Sequence, residues 1–305
     1  MSMAPEKRHY AAVFAISMSL LVLEIAVARV LSVALYSHYA FVAISLAMFG
    51  LGLSGLVVYL MPSHFSRERL DEQLVRYSAV FGLAAAGSVL VFLRIPIVQE
   101  LSLRGFITLS LAYGVLTLPF FSGGICISLL MTHFATHIGR VYFADLVGAS
   151  LGCLGVVLAM EAMPAPLVSL VVAALVSVSA FAMSCFLGAR HRIAAGLMLA
   201  AVVAMTVSGV TTDMFKMRHV KSWSDLYSDY EAWNSFSRVS AFDFEGNAAQ
   251  VVPLGKPPHT YGGDRYPDTM MLDIDGAAWT PMMNFGGELS TIDFLKESVL
   301  YVAHH

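Results

Sequence analysis

The chain has 305 residues, of which 58% are hydrophobic and only 13% are charged, and its mean hydropathy is +0.73. A soluble domain carries roughly 25% charged residues, so this composition indicates an integral membrane protein. The net charge of −3 lacks the basic balance typical of nucleic-acid-binding proteins. We therefore expect a lipid bilayer as the partner, and no nucleic acid.

Seven apolar stretches come first along the chain, and most approach the roughly 20 residues that a membrane-spanning helix needs. They cover residues 11–35, 39–61, 77–93, 105–131, 141–160, 165–187 and 193–211. Pro119 and Gly123–Gly124 interrupt the fourth stretch, so the pattern is compatible with six to eight spans. Residues 1–10 are predicted to be a cytoplasmic N-terminus and residues 11–212 a multi-pass domain in the cell membrane.

Lys and Arg residues in the short loops favour an inside N-terminus, with eight on that side and two on the other. With seven spans, this orientation places the segment after Thr211 outside the cytoplasm. Lys216, Arg218 and Lys221 directly follow the last span and favour the inside instead. Both placements of the tail stay open at this stage.

Three charged residues lie within the predicted spans: Glu24, Arg29 and Asp145. Charges at membrane depth are costly and normally face a bundle interior or a partner on another helix. Glu24 and Arg29 are five residues apart, about 140° around a helix, which suits a mutual pair poorly. We therefore expect Asp145 to be the partner of Arg29. These charged residues are compatible with an ion site inside the bundle and with a structural polar clamp between helices.

Small residues and histidines also recur at helical spacings. Gly148 and Gly152 are four residues apart and share one helix face, which predicts close approach of a neighbouring backbone. His133 and His137 have a spacing that suits a metal, but the glutamate of the metalloprotease pattern is missing between them. We expect interfacial histidines and no metal site.

The apolar runs end at Asp213, where a soluble tail begins. Residues 213–232 are predicted to be a linker. Alternation of apolar and polar residues predicts strands at 236–244 and 270–280. The second segment is bent into a hairpin at Asp275–Gly276, because this dipeptide is a strong hairpin signal.

The predicted hairpin is half-buried, and its apolar face carries Met270, Leu272 and Ile274. A helix is predicted from Glu288 to His305, where a capping pattern precedes apolar residues on one face. The expected fold class is thus an α-helical polytopic membrane bundle of about seven spans, followed by a small soluble lobe made of a β-hairpin plus a helix.

Three segments carry a resemblance to a known family: Leu21–Leu31, Ile138–Ala149 and Leu272–Gly276. The chain resembles the spermidine synthase (polyamine aminopropyltransferase) family, specifically bacterial members with an N-terminal multi-span membrane domain. The first segment is similar to the Glu-to-Arg helix that opens those proteins, and the second to their Ile-Gly-Arg-hydrophobic-Tyr segment. The third is similar to the Leu-Asp-Gly hairpin of the β-stranded lobe that precedes their Rossmann-like catalytic domain.

The resemblance implies that residues 233–305 are an incomplete N-terminal lobe of an aminopropyltransferase-like domain. It also implies that Asn234, Asp275 and Trp279 border the acceptor pocket. The family usually has glutamine where Asn234 and Trp279 stand here, so the resemblance supports the scaffold more than the polyamine substrate. A related S-adenosylmethionine-type transferase with another acceptor stays open.

The family holds decarboxylated S-adenosylmethionine in a Gly-rich turn, near a catalytic aspartate. We find no such turn in this sequence, because Gly50-Leu-Gly52 lies inside a predicted span. The expectation is therefore an inactive N-terminal fragment with no catalytic residue and no cofactor of its own. Decarboxylated S-adenosylmethionine or S-adenosylmethionine is implied only for the missing domain.

Two other function classes stay open. The chain can be read as a membrane transporter or as an anchoring or assembly module with a soluble tail. No matched pair of broken helices marks an inverted repeat, which argues against transport. A homo-oligomer is compatible with every one of these readings.

Overall fold

A computed structural model of the protein describes residues 4–35, 39–95, 102–221, 223–224, 228–243 and 268–297. The chain divides into two compact units, Met1–Ser222 and Trp223–His305. The boundary between them lies inside segment 213–232, which was predicted to be a linker. This segment contains a 3-10 turn at Asp213–Phe215 and three of the strands given below.

Within the described part of the first unit, seven helices are long and apolar enough to cross a membrane. They are α1 Lys7–Ala34, α2 Ala40–Leu60, α3 Leu70–Phe92, α4 Leu103–His133, α5 Ile138–Ala162, α6 Ala165–Ser184 and α7 Ala189–Thr211. The predicted number of long apolar helices is confirmed, and it is compatible with a multi-pass membrane protein. The interruption expected at Pro119 does not occur, because α4 is one continuous helix.

Short connections make consecutive helices antiparallel, so that α1, α3, α5 and α7 all begin at one end of the bundle. Polar side chains join the elements at that end. Asp71 of α3 lies 2.9 Å from the Arg8 guanidinium and 2.8 Å from the His9 ring nitrogen. Helix α3 begins seven residues before its predicted start, because these partners hold a polar first turn that hydropathy alone assigns to a loop.

Two glycines let helices α1 and α5 approach each other closely. A Cβ atom at Gly148 would clash with the carbonyl oxygen of Phe14, and one at Gly152 would lie 2.7 Å from that of Met18. Helix α5 therefore lies against the backbone of α1, as the spacing of these glycines predicts. Gly155, three residues further along α5, has no atom within 4 Å of its own hypothetical Cβ.

The strands are β1 His219–Val220, β2 Trp223–Ser224, β3 Tyr230–Trp233, β4 Arg238–Asp243, β5 Thr269–Ile274 and β6 Ala278–Met283. In the second unit, β3 to β6 form an antiparallel sheet in the order β3-β4-β5-β6. The hairpin between β5 and β6 turns at Asp275 and Gly276, whose φ angles are 57° and 65°. The Ala277 amide donates to the Ile274 carbonyl over 3.1 Å. This is the tight turn that the Asp-Gly dipeptide predicts.

The lobe differs from its predicted form in which face of β5 is buried. Met271 and Asp273 are 2% and 6% exposed, whereas Ile274 is 40% exposed. The predicted apolar face, which includes Ile274, is thus the more open one. The strand register explains this burial. Asp273 lies directly opposite Ser240, so the buried side of β5 belongs to the same face of the sheet as the buried Arg238 and Ser240 of β4.

Two further features of the lobe differ from the prediction. The sheet has four strands, because β3 joins the strand predicted at 236–244 and the hairpin predicted at 270–280. The segment Leu289–Glu297 is a 3-10 helix, whereas an α-helix was predicted, and residues 298–305 lie outside the described residues. Lys296 and Asp293 form an ion pair three residues apart, which suits a helix of 3.0 residues per turn.

Candidate functional site

The charged residues of the predicted spans are each half-buried, and the structure does not bring them together: Glu24, Arg29 and Asp145. Asp145 of α5 accepts a hydrogen bond from the Ser17 hydroxyl of α1. Arg29 lies twelve residues beyond Ser17, about 18 Å along the helix axis, so its guanidinium is out of reach of Asp145. The predicted Arg29–Asp145 pair is therefore wrong. Arg29 instead donates from Nη1 to the Ser32 hydroxyl over 3.1 Å.

The histidines at the end of α4 have separate partners. The His133 ring nitrogen lies 2.9 Å from the Phe65 carbonyl oxygen, and His137 Nδ1 lies 3.0 Å from the Thr136 hydroxyl. Across the described ranges, no group of three or more His, Cys, Asp or Glu side chains could hold a metal ion. These residues fix a loop against a helix end.

Asn234 closes the turn between β3 and β4. Its Oδ1 accepts hydrogen bonds from the backbone amides of Phe236 and Ser237 over 2.8 and 2.6 Å. Its own amide donates to the Ser237 carbonyl over 3.0 Å. An asparagine side chain commonly organises a turn in this way, so Asn234 sets the geometry of this connection.

Asp275 joins the second hairpin to the start of β4. Its Oδ1 accepts from the Arg238 amide over 2.8 Å, and its own amide donates to the Arg238 carbonyl over 2.9 Å. Asp275 thereby fixes the register between β4 and the turn after β5. Asn234 thus begins the turn that leads into β4, and Asp275 is hydrogen-bonded to Arg238 at the start of β4.

Trp279 lies on β6, directly opposite Asp273, and is 42% exposed. The register continues the same row across the sheet to Ser240 and then Glu231. One face of the lobe therefore carries a row of polar side chains that ends in a half-exposed indole.

Arg238 is the centre of this face, and its side chain is fully buried. Its Nε donates to Glu231 Oε1 over 3.0 Å, and the guanidinium lies 5.9 Å from the ring centroid of Trp233. The Trp233 indole nitrogen donates to the same carboxylate oxygen of Glu231. A buried guanidinium is compatible with folding only when such partners surround it.

Asp273 adds a second carboxylate to the face. Its Oδ2 accepts from the Gly276 amide over 2.8 Å, and the residue is 6% exposed. Two carboxylates and one guanidinium give these three side chains a net charge of −1. The arrangement favours cationic over anionic ligands at the edge where Trp279 is open to solvent.

The sequence analysis did not single out Glu231, Arg238 or Asp273. The sequence contains one signal for them: the two-residue period of a strand places Arg238 and Ser240 on one side of β4, and it places Asp273 on one side of β5. Only the strand register shows that these sides are the same face. Comparisons of the chain with protein-family models, curated proteins and solved structures found no match.

Proposed function

We propose that this chain provides the membrane anchor and the acceptor-side lobe of a spermidine synthase-like transferase in the cell membrane. The observation that carries the proposal is the order of parts along the chain. Seven membrane-length helices are followed by an antiparallel sheet. Within that sheet, Leu272–Gly276 forms the hairpin that resembles the Leu-Asp-Gly hairpin of the family.

The charge of the lobe supports an amine acceptor. Polyamines are cations, and the polar face of the sheet places the carboxylates of Glu231 and Asp273 in one row with the exposed indole of Trp279. Aromatic faces attract ammonium groups. In this proposal Trp279 contacts the acceptor, whereas Asn234 and Asp275 border the pocket and hold its strands in place.

The residues that the structure describes do not fit the nucleotide donor. Gly50 and Gly52 lie inside α2, and no described strand runs through a Gly-rich turn into a helix, the arrangement that cradles phosphates and nucleotides. We therefore assign no step of the transfer to this chain. The proposal is confined to anchoring and to binding the acceptor.

The test is an assay of the protein expressed from its complete reading frame in its native membrane. Transfer of an aminopropyl group from decarboxylated S-adenosylmethionine to putrescine is followed by mass spectrometry. We expect Trp279→Ala to raise the KM for putrescine with little change in the KM for the donor. Met282→Ala is the matched control, because Met282 lies on the same strand, is 47% exposed and points to the other face.

The outcomes separate the parts of the proposal. A protein that binds no S-adenosylmethionine-type nucleotide refutes the enzyme. A protein that binds the nucleotide but ignores polyamines refutes only the acceptor. Equal effects of the two variants on the KM for putrescine would remove Trp279 from the acceptor site.

An anchoring or assembly module is the second candidate. The observation that favours it is the open lateral surface of the bundle, because only 22% of the most apolar stretch of α5 and 17% of that of α7 is buried. Such helices present long apolar faces to lipid or to another membrane helix. A complete protein without nucleotide binding that co-purifies with one defined membrane partner would favour this function.

A further inference from the structure

A cavity of about 640 Å³ opens between α3 and α7, at the end of the bundle where both helices begin. Its volume lies within the range of about 300–1,000 Å³ that is typical of small-molecule sites. The cavity lies entirely within the helical unit. An inference drawn from it is therefore independent of the lobe and of the transferase proposal.

The mouth of the cavity is cationic. Arg69, Arg76 and Arg190 line it, together with the single carboxylate of Glu72. Within the described residues, none of the three arginines forms an ion pair, and only Arg76 has an aromatic neighbour, the Tyr77 ring at 5.9 Å. The lining thus has a net charge of +2 before its histidines are counted, and the guanidinium groups are free to bind an anion.

A buried hydrogen-bond acceptor lies in the same wall. Gln73 is 6% exposed and lines the cavity, and its Nε2 donates to the His64 carbonyl. Its Oε1 is buried and accepts no hydrogen bond from any residue that the structure describes. A buried acceptor left unsatisfied costs free energy. A ligand that also donates a hydrogen bond, such as one with a hydroxyl group, would satisfy it.

The floor of the cavity is apolar. Val75, Ala79, Ala195 and Met198 line it. Met198 lies eight residues beyond Arg190, about 12 Å along α7, and Ala79 lies about one helical turn beyond Arg76 of α3. A free phosphate ion would occupy only the mouth. A molecule with a phosphate at one end and a hydrocarbon chain at the other matches the whole cavity.

We propose that this cavity binds an anionic phospholipid with a hydroxyl-bearing headgroup. The phosphate lies among Arg69, Arg76 and Arg190, a headgroup hydroxyl donates to Gln73 Oε1, and an acyl chain runs along the apolar floor between α3 and α7. Basic pockets between membrane helices are known to suit anionic headgroups. The predicted orientation places this end at the cytoplasmic leaflet, which is rich in anionic lipids.

The test measures retained lipid by native mass spectrometry of the detergent-purified protein. The probes are phosphatidylglycerol, phosphatidylethanol and phosphatidylcholine with identical acyl chains. We expect phosphatidylglycerol to bind most tightly, and the triple variant Arg69→Gln, Arg76→Gln, Arg190→Gln to weaken its binding by about tenfold or more. The matched control, Lys7→Gln, Arg140→Gln, Arg192→Gln, removes equal charge from the same end at exposed residues outside the cavity lining.

Gln73→Met tests the hydroxyl contact, because it keeps the length of the side chain and removes the acceptor. It should narrow the preference for phosphatidylglycerol over phosphatidylethanol, which carries the same charge without hydroxyl groups. Ala194→Glu offers a second route if the triple variant does not fold, since Ala194 is exposed, lines the cavity and would carry a repelling carboxylate.

Three results would overturn the proposal. An equal loss of phosphatidylglycerol binding in the control variant and the cavity variant would show that the effect is one of surface charge. Phosphatidylcholine would bind as well as phosphatidylglycerol if the arginines were not engaged. Millimolar inorganic phosphate would displace the lipid if the site recognised the anion alone.

Discussion

In the helical unit two glycines of α5 lie against backbone carbonyls of α1, whereas in the lobe the largest fully buried side chain is the charged Arg238. Apolar side chains fill most of the space between the helices, and the space between backbones limits how closely the helices pack. In the lobe, the buried guanidinium of Arg238 and its partners hold the strands together. Adding one methyl group should damage the first unit, and removing one charge should damage the second.

The largest effect is expected from Glu231→Gln. This change removes the negative charge from the partner of the buried Arg238 guanidinium, which should cost the lobe about 3 kcal/mol of unfolding free energy. The chain has three tryptophans, all after Ser222, so tryptophan fluorescence reports the unfolding of the lobe. Glu288→Gln makes the same chemical change at an exposed residue and should have little effect.

A double variant sharpens this result. Adding Arg238→Met to Glu231→Gln removes the charge that was left buried, and part of the lost stability should return. A lobe that unfolds identically in the wild type and in Glu231→Gln would show that the ion pair does not hold the sheet together.

The next effect concerns space in the helical unit. Gly148→Ala should destabilise the unit by about 1–3 kcal/mol, because the new methyl group meets the Phe14 carbonyl and forces α1 and α5 apart. Far-UV circular dichroism during thermal unfolding in detergent measures the loss. Gly155→Ala adds the same methyl group where no atom lies within 4 Å, and a similar loss there would contradict the explanation by close packing.

A smaller effect is expected at the second hairpin. Gly276→Ala introduces a Cβ at a φ of 65°, a left-handed conformation that costs other residues about 1–2 kcal/mol. Tryptophan fluorescence should show the destabilisation in the lobe. Gly286→Ala is the control, because its hypothetical Cβ meets no atom within 4 Å and its φ is not positive.

The smallest effect is expected from the polar contact between α1 and α5. Ser17→Ala should cost about 0.6 kcal/mol, typical of a hydrogen bond between membrane helices, and Asp145→Leu removes the acceptor of the same bond. Ser150→Ala is the control, because the Ser150 hydroxyl bonds only to the Leu146 carbonyl of its own helix. Unchanged melting of both Ser17→Ala and Asp145→Leu would remove this contact from the forces that hold the bundle.

The two units also differ in how far the sequence predicts them. A spanning helix satisfies its own backbone hydrogen bonds, so apolar length alone identifies it, and the seven helices follow. The apolar length of a helix does not show which residues of the other helices it contacts. For this reason the sequence places Asp145 within a span but does not identify Ser17 as its partner, and hydropathy assigns the polar first turn of α3 to a loop.

In the lobe, the Asp275–Gly276 turn was predictable because the dipeptide determines the local backbone. The buried face of β5 was not, since Met270, Leu272 and Ile274 alternate with Met271 and Asp273 and either set could face inward. The choice depends on Arg238, which lies more than thirty residues earlier in the chain and is paired through Glu231. A periodic pattern contains no information about such a distant partner.

The unequal lengths of the helices have a consequence for the choice of membrane. Helix α4 has 31 residues and α6 has 20, which correspond to about 46 Å and 30 Å. The hydrocarbon layer of a typical bilayer is about 30 Å thick, so in a multi-pass arrangement α6 would match it, whereas α4 would have to tilt and project into the headgroup layers. A thicker bilayer would bury the ends of α6 before those of α4, so hydrophobic matching at α6 would set the bilayer thickness that such an arrangement tolerates.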